Sequence, residues 1–248
     1  MKHSILLKEK AIELYLSGKK MKEVAAELEI HEATVQRWMS KEKVSRHRGP
    51  LSLIGKEDFF DVIDTEEKAY WLGFIMADGC VNIYNGQYCL KIHIAAKDSE
   101  IIDNFLLAIE SKNKPYYRTD INGNQTYAIS LSSKHMVESL ISLGVVPNKT
   151  GKECLPNLSG ELTRHFVRGF FDGDGITDIS QRRSGFVSSR LMLEQLQTEL
   201  GTNQTIFENN GAHYYLGGLA FSRWLYHYIY SDCTIYLKRK RDRMWNIL

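Results

Sequence analysis

A nine-residue pattern occurs twice in this chain, as WLGFIMADG from residue 71 and as VRGFFDGDG from residue 167. Small residues stand four apart in both copies, on what would be one face of a helix. Glycine inside a helix costs about 0.5–1 kcal/mol relative to alanine, and close contact between two helices would offset this cost. The repeat therefore predicts two motif helices that pack against each other about a pseudo-twofold axis. The small residues are Gly73 and Ala77 in the first copy and Gly169 and Gly173 in the second.

Two aspartates, Asp78 and Asp174, fall at matching positions near the ends of these helices. Carboxylates brought side by side repel each other, and the C-terminal end of a helix is already partly negative. A divalent cation would relieve both effects, and an all-oxygen site favours Mg²⁺ or a similar ion such as Mn²⁺. We therefore predict a metal site with Asp78 and Asp174 as its only side-chain ligands. The alternative is that Asp-Gly only caps a helix. Gly79 and Gly175 are expected to end the helices in the left-handed conformation.

The chain after each motif predicts the same series of elements. Strand-like runs flank Asn-Gly pairs at residues 85–86, 122–123 and 210–211, and Asn-Gly is typical of hairpin turns. A helix-like run follows each hairpin. The sequence thus predicts an α+β fold with two pseudo-symmetric αββαββα halves, at residues 61–151 and 152–248.

Residues 1–45 predict a separate all-α module of three helices. Two short helices joined by a short turn resemble the helix-turn-helix domains of bacterial and phage DNA-binding proteins. Glu29 stands where that family usually has glycine. The resemblance implies that the third helix enters the major groove of DNA, and a plain three-helix cap with a solvated polar face is the alternative. The candidates for DNA contact on this helix are His31, Glu32, Gln36 and Arg37.

A basic stretch at residues 46–60 follows this module and contains a Gly-Pro pair. Because glycine and proline disfavour a helix, we predict an extended linker. Arg46 and Arg48 could lie in a minor groove of DNA, or the segment could be only a tether. The run YLKRKRDRMW near the end of the chain is basic again. Positive ends on an otherwise nearly neutral chain indicate a polyanionic partner, and basic ends that are only solvated are the alternative.

The duplicated motif resembles that of the LAGLIDADG homing endonucleases, over roughly residues 60–245. The resemblance implies two four-stranded sheets that form a DNA-binding saddle. It also implies a monomer that acts on a long asymmetric target in double-stranded DNA and cleaves both strands with a divalent metal, leaving 3′ overhangs. Asp78 and Asp174 match the metal ligands of the family. Met76 departs from the acid often found two residues before the ligand, and Asp172 retains it.

Family members also carry a lysine or glutamine near the cleft at the end of each repeat. Lys149 in VVPNKTG and Lys240 in YLKRKRD are the best matches, and Lys238 competes with Lys240. A lysine there could stabilise developing charge or help to activate the nucleophile. A phosphate contact without a catalytic role is the alternative for each of them.

Alternation along the strands predicts which side of each sheet faces DNA. Leu90, Ile92 and Ile94 should pack on the helices, which leaves Lys91 and His93 for DNA. A slip of one residue would invert this assignment. The other candidates are Asn82, Tyr84 and Arg118 in the first half and Asp178, Ser180, Gln181, Arg182 and Arg183 in the second.

These features predict a site-specific endonuclease that hydrolyses phosphodiester bonds of double-stranded DNA with a divalent metal, as in intron homing. A DNA-binding regulator or an RNA maturase of the same fold is the alternative, and the paired carboxylates favour the nuclease. The chain has no secretory segment and no run long enough to span a membrane. Its four cysteines are scattered, without a CxxC pair. We therefore expect reduced thiols and a cytoplasmic, nucleoid-associated protein of a bacterial or phage-like context.

Overall fold

The computed structural model describes residues 5–42, 44, 52–148 and 151–248, and the chain divides into two compact units, residues 1–51 and 52–248. In the first unit Glu29 has a φ of +52°, the left-handed conformation that glycine adopts most easily. The turn after the second helix therefore has a glycine-type backbone without a glycine. The helices of this unit are α1 (Ile5–Leu16), α2 (Met21–Glu27) and α3 (Glu32–Lys41). Their core consists of Ala11, Tyr15, Val24, Ala25, Val35 and Met39.

The second unit contains one series of elements twice, and the αββαββα order of both halves is confirmed. The first half consists of α4 (Glu66–Asp78), β1 (Gly79–Tyr84), β2 (Gln87–Ala95), a 3-10 turn (Ala96–Asp98), α5 (Glu100–Ala108), β3 (Tyr116–Thr119), β4 (Gln125–Ser132) and α6 (Lys134–Ser142). The second half consists of α7 (Glu161–Asp174), β5 (Gly175–Asp178), β6 (Arg183–Ser188), α8 (Arg190–Glu199), β7 (Ile206–Asn209), β8 (Ala212–Gly217) and α9 (Leu219–Tyr230). The helix α10 (Lys238–Trp245) follows.

Each half forms one four-stranded antiparallel sheet, with strand orders β1-β2-β4-β3 and β5-β6-β8-β7. The Asn-Gly hairpins are confirmed, and at residues 85–86 and 210–211 both turn residues have positive φ, as two-residue hairpin turns of this type require. Leu90, Ile92 and Ile94 are buried, so the predicted register of β2 is also confirmed. Because strands β1 and β5 start directly after α4 and α7, the motif helices and the sheets are joined without a loop.

The motif helices α4 and α7 pack at backbone contact, as the small residues predict. A methyl group added to Gly73 would lie 2.0 Å from the carbonyl oxygen of Phe166. One added to Gly169 would lie 1.9 Å from the carbonyl oxygen of Tyr70. These are two equivalent contacts, each between the glycine of one helix and the backbone of the other, as a pseudo-twofold axis between the helices produces. The contact continues towards the C-terminal ends, where a methyl group on Gly173 would lie 2.3 Å from Cβ of Ala77.

The prediction of left-handed caps at Gly79 and Gly175 is wrong. Both residues are extended, with φ of −81° and −68°, because each is the first residue of a strand. Glycine is needed there for space. A methyl group on Gly79 would lie 2.6 Å from the carbonyl oxygen of Ile75, and one on Gly175 would lie 2.3 Å from that of Phe171. The Asp-Gly pairs therefore turn each helix directly into its strand.

Candidate active site

Asp78 and Asp174 are the last residues of α4 and α7, and both are half-buried. The touching helices bring them to the same end of the helix pair. A methyl group on Gly173, the residue next to Asp174, would lie 3.3 Å from Oδ2 of Asp78. The carboxylate of Asp78 thus lies against the last turn of α7. Among the described residues, no group of three or more His, Cys, Asp or Glu side chains is placed to hold a metal ion.

Lys240 reaches the same helix end from α10. Its ammonium group donates to the carbonyl oxygens of Gly173, at 3.1 Å, and Gly175, the two neighbours of Asp174. Burial lowers the pKa of Lys240, while the carboxylates around it act in the opposite direction. A cation at the negative end of a helix is favourable. Lys240 therefore compensates the charge of the α7 terminus and stands beside the candidate metal ligand.

The other two candidate lysines are placed differently. Lys238 is exposed and forms an ion pair with Asp242, one turn further along α10. Its side chain therefore has a partner on its own helix, whereas Lys240 contacts the motif. Lys149 lies outside the described residues.

Asp172 is buried and has a structural environment. Its carboxylate accepts hydrogen bonds from Tyr70 Oη at 2.8 Å, Tyr230 Oη at 2.5 Å and the backbone N–H of Leu237 at 2.6 Å. Burial raises the pKa of Tyr70 and Tyr230 well above the usual value, so both hydroxyls stay protonated and donate. Asp172 thus ties α4, α9 and the start of α10 to α7, while its counterpart Met76 lies in the apolar core.

The environment of Asp172 predicts a pH dependence of stability. Burial raises the pKa of its carboxyl from 3.8 to about 6, although the three hydrogen bonds oppose this shift. The carboxyl of Asp172 loses its proton at a lower pH in the unfolded chain than in the folded protein. The free energy of unfolding therefore falls as the pH rises from about 4 to about 7. Relative to Asp172→Asn, we expect the wild type to lose about 3 kcal/mol of unfolding free energy across this range. Urea denaturation at several pH values measures it. A constant difference between the two proteins would contradict the raised pKa.

Arg168, one turn before Asp172, is fully buried and was not found from the sequence. Its guanidinium donates to Glu66 Oε1 at 2.6 Å and to the carbonyl oxygens of Ile235 at 2.8 Å and Ile229 at 3.2 Å. It thereby joins the start of α4 to the segment between α9 and α10. A signal was present, since the first copy of the motif has Leu72 where the second has Arg168.

A cavity of about 660 Å³ lies beside Asp78, and its lining includes His93, Thr126 and Arg239. Arg239 is the residue before Lys240 on α10. It forms a two-pronged ion pair with Asp98, with Nε 2.8 Å from Oδ1 and a terminal nitrogen 2.7 Å from Oδ2. This pair ties α10 to the first half of the unit, and it was also missed from the sequence.

The first sheet has its candidate DNA contacts on one face. The strand register puts Lys91 and His93 opposite the core, together with Asn82, Tyr84 and Arg118. Burial, with the positive charges of Arg118 and Lys91, lowers the pKa of His93. His93 is therefore neutral at neutral pH and offers a hydrogen-bonding imidazole, while Lys91 and Arg118 supply the charge.

In the second sheet the predicted alternation of strand residues extends past the end of β5, which is at Asp178. Only Asp178 and Arg183 lie on strands, directly opposite each other and 3.4 Å apart. The sheet-face prediction is wrong for Ser180, Gln181 and Arg182, because residues 179–182 form the turn between β5 and β6. Ser180 and Gln181 donate to Asp178, and Arg182 donates to the carbonyl oxygens of residues 247 and 248. Whether these residues contact DNA stays a prediction.

In the first unit, His31 caps α3, because its Nδ1 accepts a hydrogen bond from the backbone N–H of Ala33 at 3.2 Å. Glu32, Gln36 and Arg37 are exposed on α3. Three of the candidates therefore lie on one short helix, and His31 lies at its N-cap. Arg46 and Arg48 of the basic segment lie outside the described residues.

Comparisons with known proteins concern one family model and a set of solved structures. A family model described as "Putative ATPase subunit of terminase (gpP-like)" matches residues 7–56. No curated protein matches the chain. Among solved structures, the homing endonuclease I-WcaI bound to its DNA recognition sequence has a TM-score of 0.56 and 12% identity, over 81% of this chain and 96% of that one.

A second solved structure, the LAGLIDADG meganuclease I-AabMI bound to uncleaved DNA, has a TM-score of 0.51 and 11% identity, over 74% of this chain and 89% of that one. At this level of identity the likeness concerns the fold. The chain thus has the fold of the LAGLIDADG homing endonucleases. Within the residues that the structure describes, no helix is long and apolar enough to cross a bilayer.

Proposed function

We propose that this chain is a site-specific endonuclease that hydrolyses phosphodiester bonds in double-stranded DNA, with a divalent cation held by Asp78 and Asp174. The observation that carries the proposal is the backbone contact between α4 and α7, which brings both helix ends, and the aspartate on each, to one place. The fold shared with two DNA-bound endonucleases supports it.

The donor set fits a hard cation such as Mg²⁺. Two carboxylates supply charged oxygen ligands, and such ions usually complete their shell with water and phosphate oxygens. A pair of like charges at two helix C-termini is also unfavourable, and a bound cation would relieve this repulsion. The ammonium of Lys240 adds positive charge at the same place, where it donates to the carbonyl oxygens of Gly173 and Gly175. When bound, the cation would make a water molecule more acidic and neutralise charge on the phosphate.

The residues of the chain have three roles in this proposal. Asp78 and Asp174 bind the cation and fix it at the ends of the rigid helix pair. Lys240 offers a positive charge where negative charge grows on the reacting phosphate, and its two carbonyl contacts hold it there before the substrate binds. The open face of the first sheet binds DNA through Lys91, His93 and Arg118.

A cleavage selection tests the proposal. The full chain is incubated with a pool of randomised DNA duplexes, once with Mg²⁺ and once with EDTA, and the new ends are sequenced. We expect ends at one long sequence, dependent on Mg²⁺ and with 3′ overhangs. Selective binding without new ends would instead identify a DNA-binding regulator, and preferential binding of structured RNA would identify a maturase.

Lys240 gives a second prediction. Lys240→Met is expected to reduce the single-turnover cleavage rate about 10²-fold and to change DNA affinity less than about threefold. Lys238→Met is the matched control, because Lys238 lies on the same helix but is exposed and paired with Asp242. Equal rates for the two variants would contradict a role of Lys240 in cleavage.

We further propose that residues 1–45 form a helix-turn-helix domain linked by residues 46–60 to the two halves at 61–151 and 152–248, and that α3 contacts the flank of the target. A second binding unit raises affinity through effective concentration. Acting on DNA would place the protein in the cytoplasm.

The double variant Gln36→Ala/Arg37→Ala is expected to weaken DNA binding at least about 30-fold, since each of the two base contacts contributes roughly 1–3 kcal/mol. It should also shorten the protected DNA segment at one end, which footprinting measures. Lys10→Ala is the control, because Lys10 is exposed on α1 and paired with Glu13. An unchanged footprint would contradict the role of α3.

A further inference from the structure

The strand registers allow the two sheets to be compared position by position. Gly79 pairs with Ile92 in the first sheet, and Gly175 pairs with Phe186 in the second. Because these glycines are equivalent in the repeat, Lys91 corresponds to Gly185. The same counting relates His93 to Val187, Ser130 to Leu216, Cys80 to Ile176, Ala128 to Tyr214 and Tyr116 to Phe207.

The open face of the second sheet, opposite the core, carries apolar residues at several positions where the first sheet has polar ones. It carries two rows of residues that cross the strands, which we call the apolar rows. The first row is Ile176, Gly185 and Leu216, and the second is Val187, Tyr214 and Phe207. The equivalent rows of the first sheet are Cys80, Lys91 and Ser130, and His93, Ala128 and Tyr116.

The apolar rows are on the solvent side of the sheet. Ile206 and Tyr215, on the other face, belong to or pack against the hydrophobic core, whereas no side chain of the apolar rows, all within the described residues, does so. Phe207 is 39% exposed and stacks on Tyr214 with ring centroids 5.4 Å apart. The remaining side chains of the rows are half-buried. The second sheet thus exposes an apolar surface at positions where the first sheet has hydrogen-bonding groups such as Lys91, His93 and Ser130.

Cations border this surface. Arg183 lies on the same face, next to the first row, and pairs with Asp178. Arg243 is exposed at the outer edge of β5, where its Nε donates to the carbonyl oxygen of Thr177 at 3.0 Å. Arginines at the edge of the apolar rows could bind the phosphates of DNA, while the rows themselves contact an apolar part of the bases. The open faces of both sheets also begin at the aspartate pair, since β1 and β5 start directly after Asp78 and Asp174.

We propose that the apolar rows read thymine 5-methyl groups, so that the half of the target bound by the second sheet is rich in thymine. The methyl group of thymine is the apolar group that B-DNA presents in its major groove. The first sheet would read its half-site by hydrogen bonds from Lys91, His93 and Ser130. This inference rests on the proposed DNA-binding function and specifies its substrate.

Replacement of thymine by deoxyuridine tests it, because this removes the methyl group and keeps the base pair. The full chain selects its target from a randomised duplex pool with Ca²⁺ in place of Mg²⁺. Two duplexes are then made, each with deoxyuridine for every thymine in one half-site. We expect one duplex to bind about tenfold more weakly, the effect of about two buried methyl groups, and the other to bind within about twofold. Equal affinity of both for the protein would overturn the inference and leave the proposed function standing. Failure to select any duplex would overturn both.

A variant assigns the sensitive half-site to the second sheet. Val187→His/Leu216→Ser introduces the residues of the equivalent positions in the first sheet. It should lose the sensitivity to deoxyuridine and select a different sequence in that half-site alone. Persisting sensitivity in the folded variant would overturn the inference. The inference would also be overturned if sedimentation showed a dimer of the wild type and a monomer of the variant, because a second copy of the chain would then cover the apolar rows.

Discussion

Asp78→Asn and Asp174→Asn are each expected to abolish DNA cleavage while leaving DNA affinity within about threefold. Each substitution keeps the size of the side chain and removes one negative charge from the proposed cation site. Since a bound cation would make the attacking water more acidic and neutralise charge on the phosphate, loss of one of its two ligands should lower the cleavage rate by at least about 10³-fold. Single-turnover cleavage of the selected target and a gel-shift titration with Ca²⁺ measure the two effects.

The two variants should also fold normally. A neutral amide at a helix C-terminus avoids the repulsion between the carboxylates and the negative helix end, so thermal stability without metal should stay equal or rise. Asp64→Asn is the matched control, because Asp64 precedes α4 at its opposite end and forms an exposed pair with Lys68. Full cleavage by either Asp78→Asn or Asp174→Asn would end the catalytic assignment. Loss of DNA binding in both would assign the pair a structural role.

The contact between the motif helices could be predicted because small residues recur four apart in both copies of the motif. Glycine destabilises a helix, and both copies of the motif have one at the same position, Gly73 and Gly169. Close contact with the backbone of a neighbouring helix accounts for both. The hairpins were predictable for a similar reason, since Asn85 and Asn210 precede glycines in turns with positive φ. In each case a local pattern carries the physical requirement.

Other features depend on residues far apart in the chain. Arg239 reaches Asp98 across 141 positions, and Arg168 reaches Glu66 across 102. Neither pairing leaves a local pattern, because the partners belong to different halves. The same reason explains the error at Arg182. Alternation describes a strand, but the turn at residues 179–182 is stabilised by contacts with Asp178 and with the end of the chain.

The two halves share a fold but differ in what they bury and expose. The helix α7 buries Arg168 and Asp172 at positions where α4 buries Leu72 and Met76. On the open faces the difference is reversed, because the apolar rows of the second sheet include Ile176, Val187 and Leu216 where the first sheet has Cys80, His93 and Ser130. The backbone geometry is therefore set by the small residues and glycines common to both copies, while the remaining positions are free to differ. This asymmetry is what one chain needs to bind an asymmetric partner.

Arg168→Leu is expected to lower the free energy of unfolding of the second unit by about 3–5 kcal/mol, as is usual when one member of a buried ion pair is removed. The first copy of the motif has leucine, Leu72, at this position. A leucine therefore fits a motif helix, and a loss of stability would be due to the missing guanidinium. It leaves the carboxylate of Glu66 and two carbonyl oxygens without their common donor. Urea denaturation measures the loss.

Two further variants identify the cause of that loss. In Arg168→Leu/Glu66→Leu the unpaired carboxylate is gone as well, so the double variant should lose less stability than the two single variants added together, by about 0.5–3 kcal/mol. Arg190→Leu is the matched control, because Arg190 and Glu194 form an exposed pair at 2.8 Å on α8, and such pairs contribute less than about 1 kcal/mol. If Arg168→Leu lost no more stability than Arg190→Leu, the connection that Arg168 makes from α4 through α7 to the segment before α10 would not stabilise the second unit. The backbone contact between α4 and α7, the hydrogen bonds of Asp172 and the pair of Arg239 with Asp98 would then hold the two halves together.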